Sequence, residues 1–190
     1  GQSDSNIRRI FTTGFRSEWK NTMESQLLAI SPKAKLLSVD YGKNPKDYQA
    51  APIKITFRYE IPDYALKGEK EMFFRPVMNN LYNQVRSYLR IDTSLKERKY
   101  GFKDGCSRLV ELDETIQLPA GYKLANADKN ETMQGTGADF EGSLAQQGNK
   151  VLLHNKLALK KRVYEAADWD SFRNAVNAHK AYGEYLVIKK

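Results

Sequence analysis

Residues 53–61 alternate without a fault: Ile53, Ile55, Phe57, Tyr59 and Ile61 point one way, and Lys54, Thr56, Arg58 and Glu60 the other. A period of two with one apolar and one polar face describes a strand buried on one side and wet on the other, as in an antiparallel sheet. The same period recurs along the chain. Leu37, Val39 and Tyr41 alternate with Ser38 and Asp40 before Gly42, and Met72 and Phe74 oppose Phe73. Val110, Leu112, Ile116 and Leu118 oppose Glu111, Asp113, Thr115 and Gln117. Residues 138–146 and 150–161 form the arms of a hairpin about Gly148-Asn149. Its second arm puts Val151, Leu153, Leu157 and Leu159 on one face and Leu152, His154, Lys156 and Lys160 on the other. Tyr122–Leu124 and Glu184–Lys190 supply further strands, whereas the polar stretch 126–137 is expected to be an exposed loop.

Helical spacing is confined to three places. Ile7, Phe11, Phe15, Trp19, Met23 and Leu27 recur every fourth residue until Ser31-Pro32 stops them. Gly14 weakens the first half of this stripe, and Ile10–Thr13 also suits a short strand ahead of a helix over 15–29. Leu81, Val85, Tyr88 and Leu89 suit a short amphipathic helix over 77–90, the expected form, or a long ordered loop. Asp168 is the expected N-cap of a helix carrying Trp169, Phe172, Val176 and His179 on one stripe, with Gly183 at its end. Strands dominate and the strand–helix–strand alternation of a parallel sheet is missing. The expected fold is therefore mainly β, an antiparallel β-sandwich with two or three flanking helices, one N-terminal and one near the C-terminus. The polar turn 43–51 is the natural boundary, leaving 1–50 as an N-terminal helix with its connecting strand and 51–190 as the sandwich. Ile53, Ile55, Phe57, Tyr59, Leu118, Leu153, Leu157, Trp169 and Phe172 are the expected core. The N-terminal stripe is too apolar to stand bare. The sandwich in the same chain is its expected cover, ahead of a core that this sequence lacks.

Composition narrows the function classes. At 190 residues and 41% hydrophobic content, the chain is long enough for one ordinary domain or two small ones and rich enough to build a core. The net charge of +8 is spread out, with no basic tail, so nucleic acid is not an expected partner. Cys106 is the single cysteine and cannot close an internal disulfide; with two histidines, a Cys/His zinc site is not expected either. No apolar run approaches the roughly 20 residues of a membrane span. The start, Gly1-Gln2-Ser3-Asp4, lacks a signal peptide, and its leading Gly looks like a trimmed expression tag on a piece of something longer.

Each candidate for chemistry has an ordinary reading beside it. Cys106 with His154 or His179 would make a thiol–imidazole pair, but a loop cysteine lacks the helix N-terminus that lowers a thiol pKa. Glu111, Asp113 and Glu114 suggest a glycosidase-like pair or a calcium site, against the commoner role of solubilising a sheet edge. Asp128–Glu131 holds too few acids for a calcium loop. Gly135-Thr136-Gly137 is not a dinucleotide fingerprint, because Phe140 takes the third glycine position. Asn130-Glu131-Thr132 matches a glycosylation acceptor at a level close to chance. The basic stretch from Lys150 to Arg162 could meet phosphate, anionic lipid or an acidic glycan, which makes Lys150, His154, Lys156 and Lys160 the candidate ligand or partner surface. No catalytic residue, cofactor site or metal site is expected.

The order of landmarks in the second half resembles a known family. Glu97-Arg98-Lys99-Tyr100 precedes a strand that ends in Ile116-Gln117-Leu118-Pro119-Ala120-Gly121-Tyr122-Lys123. The Gly-Asn hairpin, the aromatic helix 168–180 and a last strand Tyr185-Leu186-Val187-Ile188-Lys189-Lys190 follow. This is similar to the uncharacterised C-terminal domain that follows the transglutaminase-like core in large envelope proteins of Gram-negative bacteria. The resemblance runs from near Pro52 to Lys190, and the N-terminal helix would then be the connector from that core. It implies a periplasmic or secreted setting and thiol chemistry located upstream. Cys106 does not match the catalytic cysteine context of the core, so no catalytic residue carries over. The expectation is a non-enzymatic accessory domain whose partner is the upstream transglutaminase-like core. The alternative is a carbohydrate- or peptidoglycan-binding β-sandwich that contacts cell-envelope glycan.

Overall fold

Among residues 2–43, 45–49, 52–77 and 91–190, which the computed structural model describes, twelve strands form four sheets and every pairing is antiparallel. Three α-helices accompany them, one N-terminal and one near the C-terminus. The mainly β, antiparallel class read from the alternation is the class observed. The helix expected over 77–90 lies, from residue 78 onward, outside the described residues. Packing divides the chain into two units, Gly1–Tyr64 and Ala65–Lys190.

The first unit holds α1 (Gln2–Thr13), a 3-10 turn (Arg16–Glu18), α2 (Trp19–Leu28), β1 (Lys35–Asp40) and β2 (Thr56–Glu60). The every-fourth-residue stripe does not make one helix. Gly14 ends α1 with its N–H on the Ile10 carbonyl at 3.1 Å, and a Cβ at that glycine would lie 2.9 Å from the same oxygen. The break turns Phe15 out to 77% exposure, while Phe11, Trp19 and Met23 form the core. Phe11 and Trp19 meet edge to face at 4.9 Å. Leu36, Val39, Tyr41, Ile53 and Ile55 pack against them, so the stripe finds its cover within the first 64 residues. Arg8 is buried; its Nε donates to Asp4 Oδ2 at 2.8 Å, and Asp4 Oδ1 accepts the Ile53 N–H at 2.7 Å. Hydrogen bonds to Arg8 and Ile53 hold the Asp4 carboxyl below its ordinary pKa.

β1 and β2 pair with each other as a two-stranded ribbon, with a register shift between Leu36 and Ser38. That bulge inserts one residue and changes the phase, so Leu36 and Val39 turn partly inward while Leu37 is 54% exposed. Leu37 therefore leaves the face the alternation gave it. Ile53, Ile55, Phe57 and Tyr59 keep their alternation but are half-buried, less than the largely buried state expected of them. A two-stranded ribbon has too few neighbours to close over a side chain.

The second unit contains β3 (Leu66–Lys67), β4 (Glu71–Phe74), β5 (Phe102–Lys103), β6 (Arg108–Gln117), β7 (Lys123–Leu124) and β8 (Lys129–Met133). It continues with β9 (Ala138–Gln147), β10 (Lys150–Leu159), β11 (Val163–Tyr164), a 3-10 turn (Ala166–Asp168), α3 (Trp169–Ala181) and β12 (Leu186–Lys189). The central sheet runs β6-β10-β9-β8, a second runs β3-β4-β12-β7, and β11 pairs with β5. β9 and β10 are joined at Gly148-Asn149 with Gln147 opposite Lys150, and Gly148 has φ of 60° as a tight hairpin turn requires. β8 occupies part of the stretch expected to be a loop. Its residues are polar because it is an edge strand with a single partner, β9, and hydrophobic alternation is weak where little is buried.

α3 covers one face of the central sheet. Val151, Leu153, Asn155, Leu157 and Leu159 of β10 are buried on that side, as are Trp169, Phe172, Val176 and His179 of the helix. Phe102 stacks on Tyr164 at 4.7 Å and meets Phe172 edge to face at 5.0 Å. Gly142 leaves room for two rings: a Cβ there would come within 2.6 Å of both Phe140 and Tyr182. The Tyr182 hydroxyl donates to the Gly142 carbonyl at 2.9 Å, and burial pushes its pKa up to about 12. Leu118, Leu153, Leu157, Trp169 and Phe172 are buried as expected.

Candidate functional site

The other face of the central sheet carries the polar residues, set in rows by the ladder. Asp113, His154, Ser143 and Asn130 lie side by side across β6, β10, β9 and β8. The neighbouring row is Glu111, Lys156, Glu141 and Thr132. Directly opposed side chains in such a ladder have Cβ atoms about 4.5–5.5 Å apart, within reach of charged groups. His154 Nδ1 and Asp113 Oδ1 are 2.7 Å apart. Donor atoms of Glu111, Asp113 and His154 all lie within 4.8 Å of one another. Glu114, the third acid of the sequence cluster, takes no part: it accepts the Val77 N–H at 2.9 Å.

Of the four candidate surface residues, Lys150, His154 and Lys156 project from β10 between the two flanking strands, with Lys150 at the hairpin end. Lys160 follows the strand and is tied to Asp139 at 2.7 Å and to the Gly135 carbonyl at 2.9 Å. Lys156 stands between Glu111 and Glu141. Lys161 binds both oxygens of Asp168, at 2.7 and 2.9 Å. Within the densest basic stretch of the sequence, Lys156, Lys160 and Lys161 thus stand beside acidic neighbours, whereas Lys150 lies opposite Gln117 and Gln147.

Asp168 is the N-cap residue of α3, as expected, but its side chain makes no capping hydrogen bond to the helix. Its carboxylate accepts from Lys161 Nζ and from Thr136 Oγ1 at 2.7 Å, and reaches back to the Glu165 N–H at 2.9 Å. These hydrogen bonds, led by that from Lys161, lower its pKa against the opposing effect of burial.

The thiol and the two imidazoles remain apart. Cys106 is half-buried in a loop closed by the Asp104–Arg108 ion pair at 2.7 Å. From Arg108 to Asp113, the level of His154, is five residues of β6, about 17 Å at the rise of an extended strand. His179 lies on the covered face of the sheet, with Nδ1 2.7 Å from Asn155 Oδ1.

The sequence alone pairs Glu111 with Asp113 on one strand face but does not bring His154 to them. The Gly148-Asn149 turn fixes Ser143 as one neighbour of His154 by counting back along the hairpin. Asp113 is a different matter. It arrives through the pairing of β6 with β10, which are separated in sequence by three intervening strands, and no local signal sets that register.

Residues 70–187 match the sequence model of a domain of unknown function with solved structure, DUF3858. The chain belongs to the DUF3858 family. No curated protein matches it. Among solved structures, the chain is similar to a crystal structure of a candidate protease from Parabacteroides distasonis ATCC 8503, with 16% identity and a TM-score of 0.44. That similarity covers 52% of the present chain and 20% of the other, so the chain spans about a fifth of the length of this relative.

Proposed function

We propose that this DUF3858 chain is a non-catalytic accessory domain, the C-terminal part of a transglutaminase-like protein of the cell envelope, packing on or positioning the catalytic core. One observation supports the reading: among the described residues, neither the Cys106 thiol nor the Ser143 hydroxyl is hydrogen-bonded to an imidazole. Cys106 is held in its clamped loop, His179 faces Asn155 inside the core, and His154 is hydrogen-bonded to Asp113 and not to Ser143, its other cross-strand neighbour. A nucleophile–base–orienter set needs hydrogen-bond reach between its members. The association with a transglutaminase-like core in a periplasmic or secreted protein draws on the order of the Leu118-Pro119-Ala120-Gly121-Tyr122 turn, the Gly-Asn hairpin and the terminal strand.

The glycan-binding alternative draws no support from the open face of the central sheet. Sugar platforms use exposed rings, and the rows through Glu111 and Asp113 carry no Trp, Tyr or Phe. Exposed Tyr48, Tyr100 and Tyr185 belong to separate segments.

Two measurements test the proposal. The purified chain should show no thiol-dependent amide hydrolysis or transfer on peptide substrates, and Cys106→Ala should fold and behave like the parent. Activity that is lost in that variant would refute the assignment. The reading frame from which the chain comes should encode a transglutaminase-like core immediately upstream; an unrelated neighbour there removes the proposed partner.

A further inference from the structure

We propose that Glu111, Asp113 and His154 form a surface binding site for a divalent transition-metal ion of the Zn2+ type. Three features of the fold place these ligands. Glu111 and Asp113 are two residues apart on β6 and so share its open face. His154 stands opposite Asp113 in the β6–β10 ladder, which brings an imidazole from a second strand onto the carboxylate pair. The donor atoms converge to within 4.8 Å. A tetrahedral Zn2+ ion with bonds of about 2.0–2.2 Å holds its ligand atoms about 3.3–3.6 Å apart, so the 2.7 Å His154–Asp113 hydrogen bond must open and the widest separation must close by about 1.5 Å. The Asp113 side chain is 73% exposed and that of His154 is 28% exposed, so rotations about their side-chain bonds complete the approach without moving the ladder.

The donor set selects the class of ion. One imidazole nitrogen with two carboxylate oxygens suits Zn2+ and its transition-metal neighbours, whereas Mg2+ and Ca2+ prefer oxygen alone. Three protein ligands leave at least one coordination position open, directed away from the sheet, for water or for a ligand donated from outside. Lys156 stands opposite Glu111 and competes with the ion for that carboxylate. Its charge opposes binding, which supplies an internal control.

Isothermal titration of the full chain with ZnCl2, in a Cys106→Ser background that removes the thiol as a competing ligand, tests the site. One saturable equivalent is expected, with a shift of the His154 imidazole signals in nitrogen-detected NMR spectra. His154→Ala and Asp113→Asn should each weaken binding by at least the roughly 10–100-fold that loss of a mere supporting group costs a metal site. Lys156→Gln should tighten it. MgCl2 should neither compete nor move the imidazole signals. The proposal is overturned by non-saturable uptake, by Zn2+ binding undiminished in His154→Ala, or by Mg2+ binding as well as Zn2+. All three positions lie on the open face, so these variants retain the fold, and unchanged far-UV circular dichroism verifies that.

Discussion

The two units of the chain use the same kinds of residues with different success. In the first, Phe11, Trp19 and Met23 are buried, yet the strand residues packed against them stay half-exposed. In the second, Val151, Leu157, Tyr164, Trp169, Phe172 and Val176 fall to 1% exposure or less. The difference is one of neighbours. A two-stranded ribbon offers each side chain one cross-strand partner, whereas β10 is flanked on both sides and roofed by α3. Apolar alternation in sequence sets which way a residue points; the number of surrounding elements sets how much water it loses. The first unit is also about half the length of the second, and small units bury a smaller fraction of their surface.

Truncating an aromatic anchor in each unit separates them most strongly. Trp169→Ala removes a ring at 1% exposure that also donates a hydrogen bond to the Leu95 carbonyl at 3.1 Å, and should cost about 5 kcal/mol. Trp19→Ala, at 6% exposure beside half-wet partners, should cost about 3 kcal/mol. Amide hydrogen exchange read residue by residue gives both values, because each unit reports on its own amides. Equal losses would contradict the contrast between the cores.

Overpacking is the next largest effect. Gly142→Ala places a methyl group within 2.6 Å of the Phe140 and Tyr182 rings, and should destabilise the second unit by about 1–3 kcal/mol. A neutral substitution would mean that both rings yield freely, contrary to a closely packed interior.

Acid should act on the first unit through Asp4 and on the second through Asp92, Asp139 and Asp168, whose carboxyls are all held below the ordinary value. Asp4 and Asp168 both have folded-state pKa values below the ordinary 3.8, held there by hydrogen bonds from Arg8 and Lys161 respectively. A carboxyl with a depressed folded pKa contributes stability that is fully present above the unfolded value and is lost as pH falls through the folded one. Stability should therefore be level above about pH 5 with respect to these groups and decline from about pH 4 downward. Asp168→Asn should lessen that decline in the second unit alone, and Asp4→Asn in the first alone. Denaturation midpoints between pH 5 and pH 2.5, paired with exchange rates, distinguish the two; an unaltered slope in Asp168→Asn removes its carboxylate from the acid response.

Where local signals dominate, the sequence was a good guide. The β9–β10 hairpin follows from Gly148-Asn149 and its flanking alternation, and the buried stripe of α3 follows from Trp169, Phe172, Val176 and His179. The failures share a physical cause: the deciding partner is distant in sequence or the deciding event is a single backbone irregularity. β8 is a strand because β9 offers it an edge, not because Lys129–Met133 prefers one. Asn155 is buried because His179 satisfies it from across the helix–sheet interface. Glu111, Asp113 and His154 converge only once β6 has paired with β10, which leaves the candidate metal site invisible to any reading of one segment at a time.

The smallest expected effect tests the bulge in β1. Alternation alone places Leu37 with Val39 and Tyr41 on the buried side, whereas the register shift between Leu36 and Ser38 turns Leu37 outward and brings Leu36 against the core of the first unit. Leu37→Ser should thus change stability by no more than about 0.5 kcal/mol, as surface substitutions do. Leu36→Ser, made in parallel, should cost more, because it removes apolar contact with the aromatic core and places a hydroxyl there. The order of the two variants carries the test. A bulge fixes which leucine faces inward, so if Leu37→Ser proves the more damaging of the pair, β1 is an unbroken strand and the phase given by simple alternation is the true one.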